Sequence, residues 1–457
     1  MATAARETLI ILGAGGDLTS RLLLPGLASL LASSRGAHMA LIGVDREPMT
    51  DAAWQKKVRT AFADAPSSIG TSVLESSRYL QGDATSADDL QRALDAAEGR
   101  VVLYFALPPA IAAAACAALA SVTLPTGVVL ALEKPFGTDA ASARALNRLL
   151  ETLVPEEQVF RVDHFLGKST VLGLLGLRFA NRLFEPLMSA EHIERVEVIF
   201  DERLGLEGRA GYYDHAGALT DMIQSHLLLV LALAAMEVPS DLSSEVLRGG
   251  MVQLLRAVRP WKHDGTASRR ARYTAGDVEG RELPSYLREP GVDRTRGTET
   301  LAEMAVAIDN WRWAGVPFIL RSGKAIGNPR QEIIITLKPV PHLPDGFTGP
   351  ARDARIRIGL KPPVLDIDLA VNGGADPFKL EWDTLSADFE VSELSAYGEV
   401  LAELLEGDPT LSVRGDVAEQ CWRIVAPVLA AWRRDAVELD TYQAGSANPR
   451  GWSRPLA

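Results

Sequence analysis

The residue types that do acid-base and phosphate chemistry stand in two short runs. Asp163, His164 and Lys168 fall within Arg161–Lys168, and Asp221 and His226 fall within Gly217–His226. An imidazole with a carboxylate partner is suited to general acid-base catalysis, because the ring's ordinary pKa of about 6.5 lets it take or give a proton near neutrality. His164 and Lys168 are four apart, so on a helix they share a face and can clamp an anionic group such as a phosphate; a salt-bridged structural turn uses the same residues. Asp221 and His226 are five apart and do not share an α-helical face, so each is expected to have its own partner, since burying either one unpaired is costly.

Lysine is scarce. Of 47 Lys and Arg, 9 are lysine and the remaining 38 arginine, so a lysine at a strand end carries information. Lys134 is one, in Glu133–Gly137 directly after an apolar run. Lys324 is another, closing the aromatic, strand-like stretch Asn310–Lys324, in which Trp311 and Trp313 read as core and Lys324 as loop. Upstream, Ile10–Leu12 runs into Gly13, Gly15, Gly16 and Asp17 and then a helical pattern. Glycines there let backbone N–H groups approach a pyrophosphate at a helix N-terminus, although Leu18 holds the place of the third fingerprint glycine and a plain tight turn is the competing reading. The next strand ends in Asp45 and Arg46, which point in opposite directions: Arg46 suits the 2'-phosphate of NADP, Asp45 the ribose hydroxyls of NAD.

These groups need elements to hold them at strand and helix ends. Thr8–Leu12, Ala40–Val44, Val101–Leu107 and Val128–Leu132 are short apolar runs separated by helical patterns, which predicts a parallel sheet. From about Ile193 the texture changes: Val196–Phe200, Glu332–Lys338, Arg355–Leu360 and Leu365–Val371 alternate polar and apolar, which predicts a second, largely antiparallel sheet with helices packed on it. The stretch Asp264–Arg296, rich in Gly, Arg, Asp and Glu, reads as exposed excursions. The domain boundary is expected at Asp163, dividing residues 1–163 from 164–457.

At 457 residues and 47% hydrophobic, the chain must bury a large core. Its net charge of -12 argues against a nucleic-acid or anionic-membrane partner. No charge occurs between Arg100 and Glu133, but Pro108, Pro109, Pro125 and Gly127 divide that stretch; Leu227–Met236 is also shorter than the roughly 20 residues of a membrane span and reads as a buried helix. Cys116 and Cys421 form no disulfide framework and match no metal-ligand spacing, and Met1–Thr8 lacks the zones of a signal peptide, so a cytoplasmic protein without a metal is expected.

Taken in order, the glycine turn Gly13–Leu18, Glu133–Gly137, Arg161–Lys168 with the run to Leu187, Gly208–His226 and Ile308–Lys324 resemble the landmarks of the glucose-6-phosphate dehydrogenase family. The resemblance implies an α/β plus α+β architecture, with an N-terminal Rossmann-like dinucleotide-binding domain and a C-terminal domain built on a large, mainly antiparallel sheet. It implies hydride transfer from C1 of glucose 6-phosphate to a nicotinamide coenzyme, by a homodimer or homotetramer; Arg46 favours NADP, with NAD tolerated because Asp45 and the absence of a cation at Leu22 weaken selection for the 2'-phosphate. By similarity, His226 is the general base and Asp163 its carboxylate partner. His164 and Lys168 hold the 6-phosphate; Glu202, Asp221 and Lys324 contact sugar hydroxyls or phosphate. Lys134, before a proline the family usually has in cis, reaches both cofactor and substrate, and Gly13, Gly16, Asp17 and Arg46 line the coenzyme site. Five positions depart from the family's pattern: Leu22 and Phe165 stand in place of a basic residue and a tyrosine, and Thr220, Ser225 and Leu229 in place of arginine, asparagine and glutamine. These departures keep two alternatives in view, a paralogue acting on another hexose phosphate or sugar and a catalytically impaired, nucleotide- or sugar-phosphate-binding regulatory homologue.

Overall fold

The four short apolar runs become β1 (Glu7–Leu12), β2 (Met39–Asp45), β4 (Arg100–Phe105) and β5 (Val129–Glu133), and two strands not read from the sequence, β3 (Arg78–Gln81) and β6 (Val159–Val162), join them. The computed structural model describes residues 7–350, 352–374, 376–390, 392–449, 451–452 and 456; residues 1–6, on which the expectation about export partly rests, lie outside them. All six strands pair in parallel in the order β3-β2-β1-β4-β5-β6, the doubly wound arrangement of dinucleotide-binding folds. β1 is flanked on both sides, which explains why Leu9, Ile10, Ile11 and Leu12 are all buried and its sequence does not alternate.

The remaining strands are β7 (Ile193–Asp201), β8 (Val258–Pro260), β9 (Ser268–Thr274), β10 (Gly276–Val278), β11 (Arg281–Leu283), β12 (Leu301–Ile308), β13 (Phe318–Gly323), β14 (Gln331–Leu337), β15 (Arg355–Gly359), β16 (Val364–Asn372), β17 (Leu380–Asp388) and β18 (Leu439–Gln443). Apart from the β10-β11 hairpin they form one ten-stranded sheet, ordered β17-β16-β15-β14-β7-β13-β12-β9-β18 with β8 beside β12. It is mainly antiparallel, as expected, with parallel ladders only at β7-β13 and β9-β18. Two expectations are corrected here. β9 lies within the stretch read as exposed, yet Ala271 and Tyr273 are buried in it; its arginines found partners, Arg270 donating to Val437 O at 3.0 Å and pairing with Asp435. Trp313 is core, its Nε1 donating to Ala235 O at 2.8 Å, but Trp311 is fully exposed, because the Asn310 side chain accepts the Trp313 N–H and Gly315, at φ +87°, continues a turn rather than a strand.

The chain divides into two compact units. The first holds the described residues through Ser169 with Pro239–Gly250 and Ser392–Glu419; the second holds Thr170–Val238 and the rest. In the second unit the apolar run around Leu227 continues a helix that begins much earlier, at Ala210, and ends at Ala235. Among the described residues it is the one helix long and apolar enough to cross a membrane, and 89% of its apolar window is buried within the protein.

Candidate active site

Because every strand of the first sheet runs the same way, the expected residues of the first unit collect at its carboxyl edge, where open α/β sheets bind ligands: Gly13 after β1, Arg46 after β2, Lys134 after β5, Asp163 and His164 after β6. Gly13 has φ +88°, and a Cβ there would meet the Ala106 carbonyl oxygen at 2.2 Å, so glycine is required for the strand to turn. The chain becomes helical at Asp17, passes through a π turn at Thr19–Leu23 and continues as the helix Leu24–Ala32. Above Gly16 a Cβ would meet only the Gly13 carbonyl, at 3.2 Å; the space is otherwise open, directly at a helix N-terminus. That cradle fits a dinucleotide's pyrophosphate. Asp17 is exposed and pairs with Arg21 at 3.3 Å, while the Asp45 carboxylate accepts the Gly15 N–H at 2.8 Å and the Arg46 N–H at 2.7 Å.

After β6 the backbone forms a turn rather than a helix. Asp163, fully buried, accepts the Phe165 N–H at 3.0 Å, Leu166 N–H bonds back to the Asp163 carbonyl, and the helix starts only at Ser169. His164 and Lys168 therefore do not share a helix face; they meet around Phe165, whose ring centroid lies 5.2 Å from that of His164 and 3.6 Å from Lys168 Nζ. The ring of Phe165, one of the departures read in the sequence, is a cation-π platform that offers no hydroxyl. Tyr397 also stacks on His164, centroids 5.6 Å apart and planes 17° off parallel. Its hydroxyl and that of Tyr104 both donate to Glu133 Oε1, at 3.2 and 2.5 Å. Burial pushes Glu133 up to about 7, against the pull of those two hydrogen bonds and the Lys134 charge and with the push of Asp163. The Lys134-Pro135 peptide is cis, as the resemblance implied.

In the second unit β7 and β13 are parallel neighbours, so Glu202 and Lys324, each one residue past its strand, come together: Lys324 Nζ lies 2.5 Å from Glu202 Oε2. Lys324 lies in the bend just past β13, as read, but it is 2% exposed, and its ammonium also stands 5.1 Å from the Tyr213 ring. Asp221 and His226 lie on a buried π-helical stretch, Leu219–Leu227. The i→i+5 bonding of a π helix brings positions five apart onto the same side, which an α-helical reading separates. The Tyr212 hydroxyl donates to Asp221 Oδ1 at 3.4 Å and the Ser225 hydroxyl to Asp221 O at 2.8 Å. This stretch starts from a kink at Gly217, φ +67°, where Glu299 reaches in to accept the Leu219 N–H at 3.0 Å. Burial pushes Glu299 up to about 7. Tyr397 and Glu299 have no motif around them in the sequence; Glu133 and Tyr213 lie inside the runs Glu133–Gly137 and Gly208–His226, but nothing there marked either of them as a site residue.

Residues 10–172 match the family described as glucose-6-phosphate dehydrogenase, NAD binding domain, and residues 175–457 match its C-terminal domain. Glucose-6-phosphate 1-dehydrogenase of Gluconobacter oxydans is 38% identical across 98% of this chain and 95% of that protein; the Bacillus subtilis enzyme is 32% identical across 97% and 95%. The crystal structure of the Mycobacterium avium enzyme superposes with TM-score 0.85 at 31% identity, covering 98% of this chain and 96% of that one. A glucose-6-phosphate dehydrogenase in complex with its substrate glucose 6-phosphate superposes with TM-score 0.87 at 27% identity, covering 100% and 98%. With two family matches that together span nearly its whole length, over a doubly wound domain and a large mainly antiparallel sheet, the chain belongs to the glucose-6-phosphate dehydrogenase family.

Proposed function

We propose that this chain oxidises glucose 6-phosphate at C1 with NADP as coenzyme, giving the 6-phosphoglucono-lactone of the oxidative pentose phosphate pathway. The observation that carries the reading is the full-length likeness to relatives of this activity in a chain that keeps both an imidazole on a buried helix and the anion-binding pair His164 and Lys168 around one aromatic ring. In this reading His226 takes the proton of the C1 hydroxyl, and Asp163 stabilises the imidazolium so formed. Bound NADP supplies the hydride acceptor at nicotinamide C4. His164 and Lys168 hold the 6-phosphate; Glu202, Asp221 and Lys324 hold sugar hydroxyls or phosphate; Lys134 serves coenzyme and substrate together. Gly13, Gly16 and Asp17 line the pyrophosphate end of the coenzyme.

NADP is preferred and NAD tolerated. Among the described residues the Arg46 guanidinium makes no hydrogen bond or ion pair, which leaves it available for a 2'-phosphate. Asp45 already gives both oxygens to backbone N–H groups, which reduces what it offers a ribose diol. Coenzyme reduction with glucose 6-phosphate, measured for wild type and His226→Asn, tests the reading. A loss of about 100- to 10,000-fold in kcat is expected for the variant; an inactive wild type, or a variant as fast as wild type, overturns it. The cytoplasmic location and homodimer or homotetramer belong to the same reading, and light scattering of the purified protein checks the assembly.

A further inference from the structure

The helix Asp51–Phe62 is fixed against the glycine turn by Trp54, which is fully buried and packs so closely on β2 that a Cβ on Gly43 would meet its ring at 3.0 Å. Three residues on, the same helix face presents Lys57. Its Nζ donates to the carbonyls of Ala14 at 2.9 Å and Gly15 at 2.8 Å. An ammonium has three N–H donors, and among the described residues the third has no acceptor and no carboxylate comes within ion-pair distance. From Gly15 the contacts continue through its N–H to Asp45 Oδ2 and from Asp45 Oδ1 to the Arg46 N–H, so one continuous path of hydrogen bonds links the ammonium to the residue carrying the unpaired guanidinium.

We propose that Lys57 is the second cation of the pocket for the coenzyme's adenosine 2'-phosphate, a specificity-determining residue that acts beside Arg46. The inference rests on the NADP reading above. The end of β2 is where this fold meets the adenosine ribose, and a compact ammonium anchored on two carbonyls with one donor remaining suits a phosphate monoester. Half-buried, Lys57 has its pKa lowered by desolvation, which the Asp45 and Asp17 charges only partly oppose; an anionic ligand relieves that cost.

The test uses the whole protein and calorimetric titration with two coenzyme fragments, 2',5'-ADP and 5'-AMP, for wild type, Lys57→Gln and Lys57→Arg. Glutamine can still donate to the turn carbonyls but has no charge. Lys57→Gln is expected to weaken 2',5'-ADP by about 10- to 100-fold while 5'-AMP stays within about twofold, and Lys57→Arg to recover most of the loss. In kinetics the KM for NADP rises by a similar factor with kcat unchanged, and the KM for NAD stays as it was. Equal losses for both fragments mean that Lys57 only staples the turn, and that overturns the proposal, as does unchanged discrimination in Lys57→Gln. A wild type that does not distinguish the two fragments overturns the NADP reading and this inference with it.

Discussion

Glu133 is a carboxyl held where ionisation is costly: partly buried at the end of β5, bonded by two tyrosine hydroxyls through one oxygen, and pushed up to about 7 by desolvation. Its folded pKa lies above the ordinary 4.5, so the folded state binds this proton more tightly than the unfolded state does. The site's contribution is therefore most favourable at low pH and is lost as pH rises from about 4.5 through about 7. Glu133→Gln keeps a carbonyl oxygen for both tyrosines and removes the titration. Wild type is expected to lose on the order of 1 to 3 kcal/mol more stability than the variant between pH 5 and pH 8, read from urea unfolding at the two values. Parallel losses in the two proteins would show that Glu133 does not carry this term. Glu299 titrates in the same direction, so some slope remains in the variant. Of this cluster the sequence exposed Lys134, through its strand-end place and the scarcity of lysine. It could not expose the setting of Glu133, because Tyr397 lies 264 residues away.

The helix Ala210–Ala235 shows what an element adds to its residues. Leu227–Met236 was legible as buried because it is apolar on every side, but the π stretch before it was not, since nothing in the residue order distinguishes i→i+4 from i→i+5 bonding. The kink that precedes the stretch depends on Gly217, with φ +67° and ψ 175°, a conformation that is essentially glycine's alone. A Cβ there would also meet Glu299 Oε1 at 2.3 Å. Gly217→Ala is expected to cost about 2 to 4 kcal/mol and to lower kcat by moving the segment that carries His226; Gly211→Ala, in open space on the same helix, should change stability by less than about 1 kcal/mol. Thermal unfolding of the two variants side by side checks this, and equal effects would assign the kink no role. The turn after β6 follows the same logic. Asp163 accepts the Phe165 N–H and closes a turn, where the sequence left helix and turn both open, because a short carboxylate competes with helix for nearby backbone donors.

At the scale of the molecule, the first unit is assembled from segments far apart in the chain. Arg161 holds two of them together: its side chain, 1% exposed, bonds Glu156 at 2.8 Å, Asn147 at 2.9 Å and the Val413 carbonyl, while Asn147 bonds Gly415 O and Glu419. Arg161→Ala is expected to cost about 3 to 5 kcal/mol, because Glu156 and Asn147 lose a buried partner. Arg21→Ala, which removes an ion pair with Asp17 whose side chains are 71% and 75% exposed, should cost less than about 1 kcal/mol. Urea midpoints for the pair decide between a buried tie and a dispensable charge. What the sequence by itself determined is local: several of the strand runs, where a glycine turn follows a strand, and the motifs that mark the family. Those features survive in residue order because apolar periodicity and turn chemistry act over a few residues. Tertiary structure alone decided that Tyr397 stacks on His164, that Lys57 reaches the glycine turn, that Glu202 and Lys324 become neighbours, and that Glu299 enters the kink at Gly217. Each of these joins residues whose separation in the chain leaves no periodic trace, and each exists only because strand order and packed helices bring them within hydrogen-bond or ring-contact distance.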